Sequence, residues 1–127
     1  MLMIKNKLAR SPIHGLGVFS EEFVPAGGIV WQWHEGIDQK ISPSVVEALP
    51  SVCQDIFKRY GWVENGEYII CIDNEKYINH SDNPNCIFTE DGNTAIAARD
   101  IHIGDEITQD YKTFDDKFGL KEFGYDW

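Results

Sequence analysis

Short apolar runs separated by turn residues account for most of the chain, and each run has the length of a strand. Strands are predicted at residues 2–9, 17–19, 28–33, 68–72, 86–90, 94–99 and 106–111. The turn Asp91-Gly92-Asn93 joins the fifth and sixth of these as a hairpin. Because helices do not alternate with the strands, this order predicts a mostly β protein and disfavours a doubly wound nucleotide-binding fold.

A helical pattern is confined to an insertion spanning residues 43–60. Pro50 interrupts this insertion, which predicts two short helices rather than one. In the second helix Val52, Ile56 and Tyr60 recur at every fourth position. That spacing predicts that these three side chains form its apolar face.

Composition places the chain among folded globular proteins. Its 127 residues are 43% hydrophobic and 13% aromatic, which suits one domain over residues 1–127 and excludes disorder. No apolar run approaches the roughly 20 residues that span a bilayer, and the N-terminus lacks a signal-peptide core. The three cysteines, Cys53, Cys71 and Cys86, form no CxxC motif. We therefore expect a reducing compartment, cytoplasmic in a bacterium and nuclear in a eukaryote or a virus-infected host, and no structural zinc.

The charge of the chain is strongly acidic and unevenly distributed. The chain has 21 acidic and 11 basic residues, a formal charge of −10. Residues 1–20 carry Lys5, Lys7 and Arg10 and no acid, so the remainder has a charge of −13. Such a surface repels nucleic-acid phosphates and attracts basic partners. The alternative interpretation is that the acidity only keeps a small protein soluble.

Three segments carry candidate chemistry: residues 11–19, 77–86 and 104–111. The first contains Gly15-Leu16-Gly17, but a strand follows it, so it fails as a dinucleotide-binding motif. The second contains Asn79-His80-Ser81 before a Pro-containing turn, and taken alone it indicates a strand end. The third ends in Tyr111 and alone is an ordinary edge strand.

Together, in this order and at these separations, the three segments resemble the SET-domain protein-lysine methyltransferases. The resemblance covers residues 8–113, and Ser11, His14 and Phe19 extend the first motif. It implies a β-clip fold of several short sheets with a small α insertion. It also implies a knot-like crossing, in which the last strand passes through the loop made by the Asn-His-Ser segment and runs parallel to it. The domain is expected to be a minimal one, without flanking zinc-binding segments, like those of viruses and bacteria.

The resemblance implies a site for S-adenosylmethionine and a catalytic tyrosine, Tyr111. The cofactor-binding positions that it assigns are His14, Gly15, Leu16, Gly17, Lys76, Tyr77, Asn79, His80 and Tyr111. Glycine allows close backbone approach to a ligand, and an amide offers both a donor and an acceptor. Lys76 stands where the family usually has arginine, so it would pair with the cofactor carboxylate as a point charge. Glu106 matches a carboxylate that lines the site. The alternatives are a buried core histidine at His80 and a core aromatic at Tyr111.

Departures from the family concern the substrate channel. Gln109 occupies a position where the family usually has Phe or Tyr, and Asp82 replaces a cysteine that binds zinc in many members. No cysteine follows Cys86, so no metal site is expected. The aromatic tail, residues 112–127, is expected to close the channel instead, or else to complete the core. Its aromatic residues are Phe114, Phe118, Phe123, Tyr125 and Trp127, and the spacing of the first two predicts one face of a short helix.

The resemblance thus implies an S-adenosylmethionine-dependent protein-lysine N-methyltransferase. Its expected partner is a basic, lysine-containing protein, histone-like or ribosomal, with no direct contact to nucleic acid or membrane. A homodimer is left open. Lys76 and Gln109 favour an alternative, a module that binds a basic peptide or the cofactor without methyl transfer. A third alternative is a structural β-clip protein with no ligand.

Overall fold

The computed structural model describes residues 1–118, and three small sheets contain all of its strands. The four-stranded sheet has the order β1-β2-β10-β7, formed by Asn6–Arg10, Leu16–Ser20, Glu106–Gln109 and Asn79–His80. A second sheet has the order β3-β9-β8, formed by Ile29–Gln32, Thr94–Ala97 and Cys86–Phe88. A third has the order β4-β6-β5, formed by Gln39–Ile41, Glu67–Ile70 and Trp62–Glu64. The predicted mostly β architecture is confirmed.

Pairing in the four-stranded sheet brings the three sequence motifs together. Strand β2 pairs antiparallel with β1 on one side and with β10 on the other. Strand β10 then pairs parallel with β7, with Thr108 opposite Asn79 and Gln109 opposite His80. The parallel run of the Asn-His-Ser segment beside the last strand is therefore confirmed.

The core lies between the sheets and is built from small β-branched and aromatic side chains. Val18 and Ile107 of the four-stranded sheet, Trp31 and Ala95 of the second and Ile69 of the third are all buried. Strand β2 lies inside the four-stranded sheet, and its residues Gly17, Val18 and Ser20 are buried. The core thereby fixes the position of β10, whose C-terminal end leads directly to Tyr111.

Two helices, α1 (Pro43–Glu47) and α2 (Ser51–Tyr60), form the predicted insertion, and Pro50 separates them as expected. The predicted apolar face of α2 is wrong for Val52 and Ile56 and right for Tyr60. Val52 is 72% and Ile56 is 51% exposed, whereas Phe57 packs on Tyr68 and Tyr60 packs on Tyr77. The helix is turned by about one residue relative to the aliphatic pattern because the large aromatic rings bury more area than the aliphatic chains.

Several element bounds differ from the sequence prediction. The first strand covers Asn6–Arg10 rather than residues 2–9, since the chain reaches β1 through a bend at Ile4. Strands β4 and β5 were not predicted, because each has only three residues and β4 is largely polar. The predicted short helix spanning Phe114 and Phe118 is also wrong. A 3-10 turn at Tyr111–Thr113 is followed by irregular turns up to residue 118.

Candidate functional site

The loop between β1 and β2 is shaped by Ser11. Its hydroxyl accepts hydrogen bonds from the backbone N–H groups of Ile13 (2.9 Å) and His14 (3.3 Å), and it donates to Oε2 of Glu106 (3.0 Å). Gly15 closes the turn with a φ of +48°, a left-handed conformation that favours glycine. The Gly15 carbonyl accepts from the N–H of Ser11 at 2.9 Å. The residues at the tip of this loop are exposed and are held in a fixed shape.

Asn79 ties the second motif to this loop through its side-chain amide nitrogen. This nitrogen donates to the backbone carbonyls of His14 and Leu16, both at 3.0 Å, and to Oε1 of Glu106 at 2.9 Å. Asn79 is buried, whereas the loop residues His14 and Leu16 are exposed, so these bonds are partly shielded from water. The amide thus holds the loop carbonyls inward.

Gly17 allows the Glu106 carboxylate to approach the loop backbone. A Cβ at position 17 would lie 2.2 Å from Glu106 Oε1 and 3.1 Å from Ser11 Cβ. A larger residue would therefore displace the carboxylate that both Ser11 and Asn79 bind. The need for glycine here is steric, whereas at Gly15 it is conformational.

Tyr111 lies just after the parallel pairing of β7 with β10. Residues around the second motif bind both its backbone and its hydroxyl. Its backbone N–H donates to Nδ1 of His80 at 3.2 Å, and its hydroxyl donates to the carbonyl of Ile78. Since Nδ1 of His80 accepts, the ring hydrogen lies on Nε2, which is 3.2 Å from Asp82 Oδ1. Burial raises the pKa of Tyr111, and the negative charge of Glu75 raises it further, so the phenol stays neutral.

A small cleft that is open to solvent lies beside Tyr111. Its walls come from the end of α2, the turn before β7, the end of β10 and the segment after it. The lining residues are Arg59, Tyr60, Gly61, Trp62, Glu75, Lys76, Ile78, Gln109, Tyr111, Phe114 and Asp115. Aromatic walls with a few polar groups are typical of a small-molecule or side-chain binding site.

Comparison with known proteins decides the family. Residues 15–112 match the sequence model of the SET domain. This chain belongs to the SET domain family. A provisionally assigned histone methyltransferase of Plasmodium falciparum superposes with a TM-score of 0.60 at 24% identity, over 87% of this chain and 95% of that chain. A humanized mutant of the Chaetomium thermophilum Polycomb Repressive Complex 2, bound to an inhibitor, gives 0.66 at 19% identity, over 89% of this chain and 15% of that chain.

At these identities the two structures show that the SET fold is shared. Membership in the family supports a methyltransferase function in general. The SET domain here brings the predicted residues into two adjoining groups. His14, Gly15, Leu16, Gly17, Asn79 and His80 surround the glycine loop, whereas Lys76, Gln109, Tyr111 and Phe114 line the cleft. Tyr111 joins the groups, because its ring lies 5.4 Å from that of His80.

Three predicted residues have specific placements in the SET domain. Tyr77 packs edge-on against Tyr60 (5.4 Å between ring centroids) at the border of the core. The Lys76 ammonium lies 5.7 Å from the centroid of the Tyr77 ring. Gln109 is 2% exposed, and its amide nitrogen faces the Cys86 sulfur at 3.8 Å.

The described part of the aromatic tail, residues 112–118, contributes to both the cleft and the surroundings of the glycine loop. Phe114 packs on Phe88 and Trp62, with ring centroids 5.0 and 5.7 Å apart, and it also lines the cleft. Phe118 packs on His80 at 4.9 Å and on Tyr111 at 6.1 Å. Phe114 thus has two roles, since it packs against the core and also forms part of the cleft wall. Phe123, Tyr125 and Trp127 lie outside the described residues.

A group of His80, Asp82 and Asp110 places its potential ligand atoms within 4.8 Å of one another. Within residues 1–118 this is the one group with the composition and spacing of a metal site. The Lys112 ammonium pairs with Asp82 there, and the Tyr111 N–H uses Nδ1 of His80. Two of the three potential ligand residues therefore already have partners within the chain. Among the same residues, no helix is both long and apolar enough to cross a membrane.

Sequence reasoning missed several residues of the cleft. Trp62 and Glu75 are buried in its wall, and Asp115 is buried beside them. The burial of Trp62 could have been predicted, because it follows Gly61 at the end of a helical segment and a large aromatic residue there commonly packs inward. Glu75 gave no signal, because an acid between polar neighbours normally faces water.

Proposed function

We propose that this SET domain is an S-adenosylmethionine-dependent protein-lysine N-methyltransferase. The observation that carries the proposal is the position of Tyr111, which stands between the anchored glycine loop and an aromatic cleft. Its backbone is bound to His80 and its hydroxyl to Ile78, so the phenol is fixed before any ligand arrives. A methyl transfer needs such fixed geometry, because sulfur, methyl carbon and amine must lie in line.

The residues of the chain fit the cofactor. The exposed loop at Gly15 offers backbone groups without a Cβ, and His80 with Phe118 offers ring surfaces for an adenine. Lys76 makes no hydrogen bond or ion pair with any other of residues 1–118, so its ammonium is available to the cofactor carboxylate. When bound, S-adenosylmethionine supplies a methyl group activated by a sulfonium.

Tyr111 orients the target amine in this proposal. Its hydroxyl hydrogen is used by the Ile78 carbonyl, so the phenolic oxygen offers its lone pairs to an N–H of the amine. Its raised pKa keeps the phenol from ionising near neutral pH. The aromatic side chains of Trp62 and Phe114 give the cleft an apolar wall, which disfavours a charged amine and favours the nucleophilic neutral form.

The proposed substrate is a lysine within a basic protein segment. Residues 21–127 carry a charge of −13, which attracts such a segment and orients its approach. The Plasmodium falciparum neighbour is described as a histone methyltransferase, which supports a histone-like tail as one candidate.

Transfer of labelled methyl groups tests the proposal. Purified protein is incubated with S-adenosylmethionine labelled on the methyl group and with lysine-containing basic peptides. Label is expected in peptides that contain lysine and not in matched peptides with arginine in its place. Absence of label from every peptide, together with absence of cofactor binding by calorimetry, would contradict the proposal.

A binding module without transfer is the second candidate function, and the placement of Gln109 favours it. Its buried amide faces Cys86, where the family usually has an aromatic ring. Calorimetric binding of S-adenosylhomocysteine without any transfer of label would support this function over the first.

A further inference from the structure

Glu75 is a buried carboxyl group in the wall of the cleft that lacks a full set of partners. It is 4% exposed, and its Oε2 atom has no hydrogen-bond partner among residues 1–118. The thiol of Cys71 hydrogen-bonds to the same carboxyl group. A buried carboxylate with a free oxygen is costly, so a partner from outside the chain is expected at this position.

Trp62 also has a buried polar atom without a partner in the described part of the chain, and this atom is a donor rather than an acceptor. Its indole Nε1 is a buried donor without an acceptor among the described residues, and it lines the same cleft. Two residues of the cleft wall thus have a buried polar atom without a partner in residues 1–118, an acceptor in Glu75 and a donor in Trp62. This pairing is typical of a site that is completed by a ligand or by ordered water.

We propose that Glu75 binds the ammonium group of the target lysine and accepts its proton before methyl transfer. This inference rests on the proposed lysine methyltransferase function and adds a proton acceptor to it. The step balances simply. The N–H bond of the ammonium breaks, the proton forms an O–H bond on Glu75, and the nitrogen keeps the electron pair that attacks the methyl carbon. After the C–S bond breaks, Glu75 releases its proton to water through the open cleft.

The location of Glu75 favours the target amine over the amino group of the cofactor. Glu75 shares the cleft with Tyr111 and Gln109, the predicted transfer and channel positions. Among the neighbouring charges, that of Glu75 has the largest effect on the raised pKa of Tyr111. Of the predicted cofactor positions, Lys76 and Tyr111 line the cleft, whereas Gly15, Gly17, Asn79 and His80 do not.

The protonation of Glu75 matches such a role. Burial raises its pKa to about 7, with the charge of Asp73 as a further cause. The titratable groups that face it are the Met1 amino group, Asp38, Cys71, Asp73, Cys86 and Tyr111. Lys76, Arg59 and Asp115 share the cleft wall with it. A base with a pKa near the working pH is ionised often enough to act and basic enough to take a proton.

The pH profile of a Glu75→Gln variant tests the proposal. For the wild type, kcat/KM rises with pH as Glu75 loses its proton and levels above about pH 7, because only the carboxylate accepts the amine proton. For the variant it should be about 100-fold lower at pH 7 and keep rising toward the lysine pKa of about 10.4. Glu67→Gln, an exposed acid on β6, is the matched control and should retain the wild-type profile. A variant with the wild-type profile would overturn the proposal.

A second measurement uses the wild type alone and does not depend on turnover. The carboxyl carbon of Glu75 is followed by NMR across a pH titration, with n-butylammonium as the probe and n-butanol as the control. The ammonium should lower the pKa of Glu75 by about one or more, because it favours the carboxylate, and the alcohol should not.

The outcomes separate this proposal from the function on which it rests. An active enzyme whose Glu75 ignores the ammonium, or responds to S-adenosylhomocysteine instead, overturns the proposal alone. A protein that binds the ammonium at Glu75 but transfers no methyl group refutes the methyltransferase function and leaves the ammonium site standing.

Discussion

Glu106 connects three parts of the candidate site through one carboxylate. Its Oε2 accepts from the Ser11 hydroxyl at 3.0 Å, and its Oε1 accepts from the Asn79 amide at 2.9 Å. Gly17 leaves the space that the carboxylate fills. The shape of the glycine loop therefore depends on a contact with β10, about 90 residues away in the chain.

The Gly17→Ala substitution should break this connection. The new methyl group overlaps the Glu106 carboxylate, so we expect the free energy of unfolding to fall by about 1–3 kcal/mol. Urea denaturation measures the loss. The matched background is Glu106→Ala, in which the overlapping group is gone and most of the cost of Gly17→Ala should disappear. An equal cost in both backgrounds would contradict the steric explanation.

At the scale of elements, the C-terminal end of α2 is held by a residue from the far end of the described chain. Lys117 is buried, and its ammonium donates to the carbonyls of Phe57 (3.4 Å), Lys58 (2.8 Å) and Gly61 (2.5 Å). The Phe57 carbonyl also accepts from the Gly61 N–H at 3.1 Å, and the helix dipole favours a cation at this end of α2. Burial lowers the pKa of Lys117 to about 8, so its charged form still dominates at pH 7.

Replacement of Lys117 by methionine should loosen this junction. The substitution keeps the volume but leaves buried carbonyls without a donor, at a cost of about 2 kcal/mol. Hydrogen exchange should quicken at residues 57–61, and the free energy of unfolding should fall. Lys112→Met is the control, because Lys112 is exposed and its pair with Asp82 contributes little. Equal effects of the two variants would rule out the capping role.

The elements also show which structural features can be predicted from the sequence. The hairpin of β8 and β9 was predicted correctly, because its Gly92 turn, with a φ of +71°, follows local rules. The face of α2 was predicted only in part, because the choice between Ile56 and Phe57 depends on the distant Tyr68. Glu75 and Lys117 were missed for the same reason, since their burial is set by tertiary packing that a local pattern does not contain.

At the scale of the whole molecule, the fold brings distant sequence motifs together in an acidic protein. The parallel pairing of β7 with β10 places Asn79 and Tyr111 in one site although 31 residues lie between them in the chain. The sequence motifs predicted this meeting only through their resemblance to a family. The charge of −13 on residues 21–127 gives the protein a negative field that attracts basic partners.

Ionic strength should therefore control substrate capture. Between about 0.01 M and 0.15 M salt the screening length falls from about 30 to about 8 Å, so the KM for a basic peptide should rise several-fold while kcat stays constant. A peptide with the same lysine and neutral flanking residues is the control and should respond weakly. Equal salt dependence of the two peptides would favour solubility as the main consequence of the acidity.

The central claim, that Tyr111 is the residue at which a methyl group passes to lysine, is tested most directly by one comparison. Tyr111→Phe and Tyr68→Phe are each assayed for binding of S-adenosylhomocysteine and for transfer of label to a basic lysine peptide. Tyr68 is a half-buried tyrosine on β6, outside the cleft wall. We predict that both variants bind, that Tyr68→Phe retains turnover, and that Tyr111→Phe loses about 100-fold or more, since the hydroxyl that orients the amine is gone. Wild-type turnover by Tyr111→Phe would contradict the account.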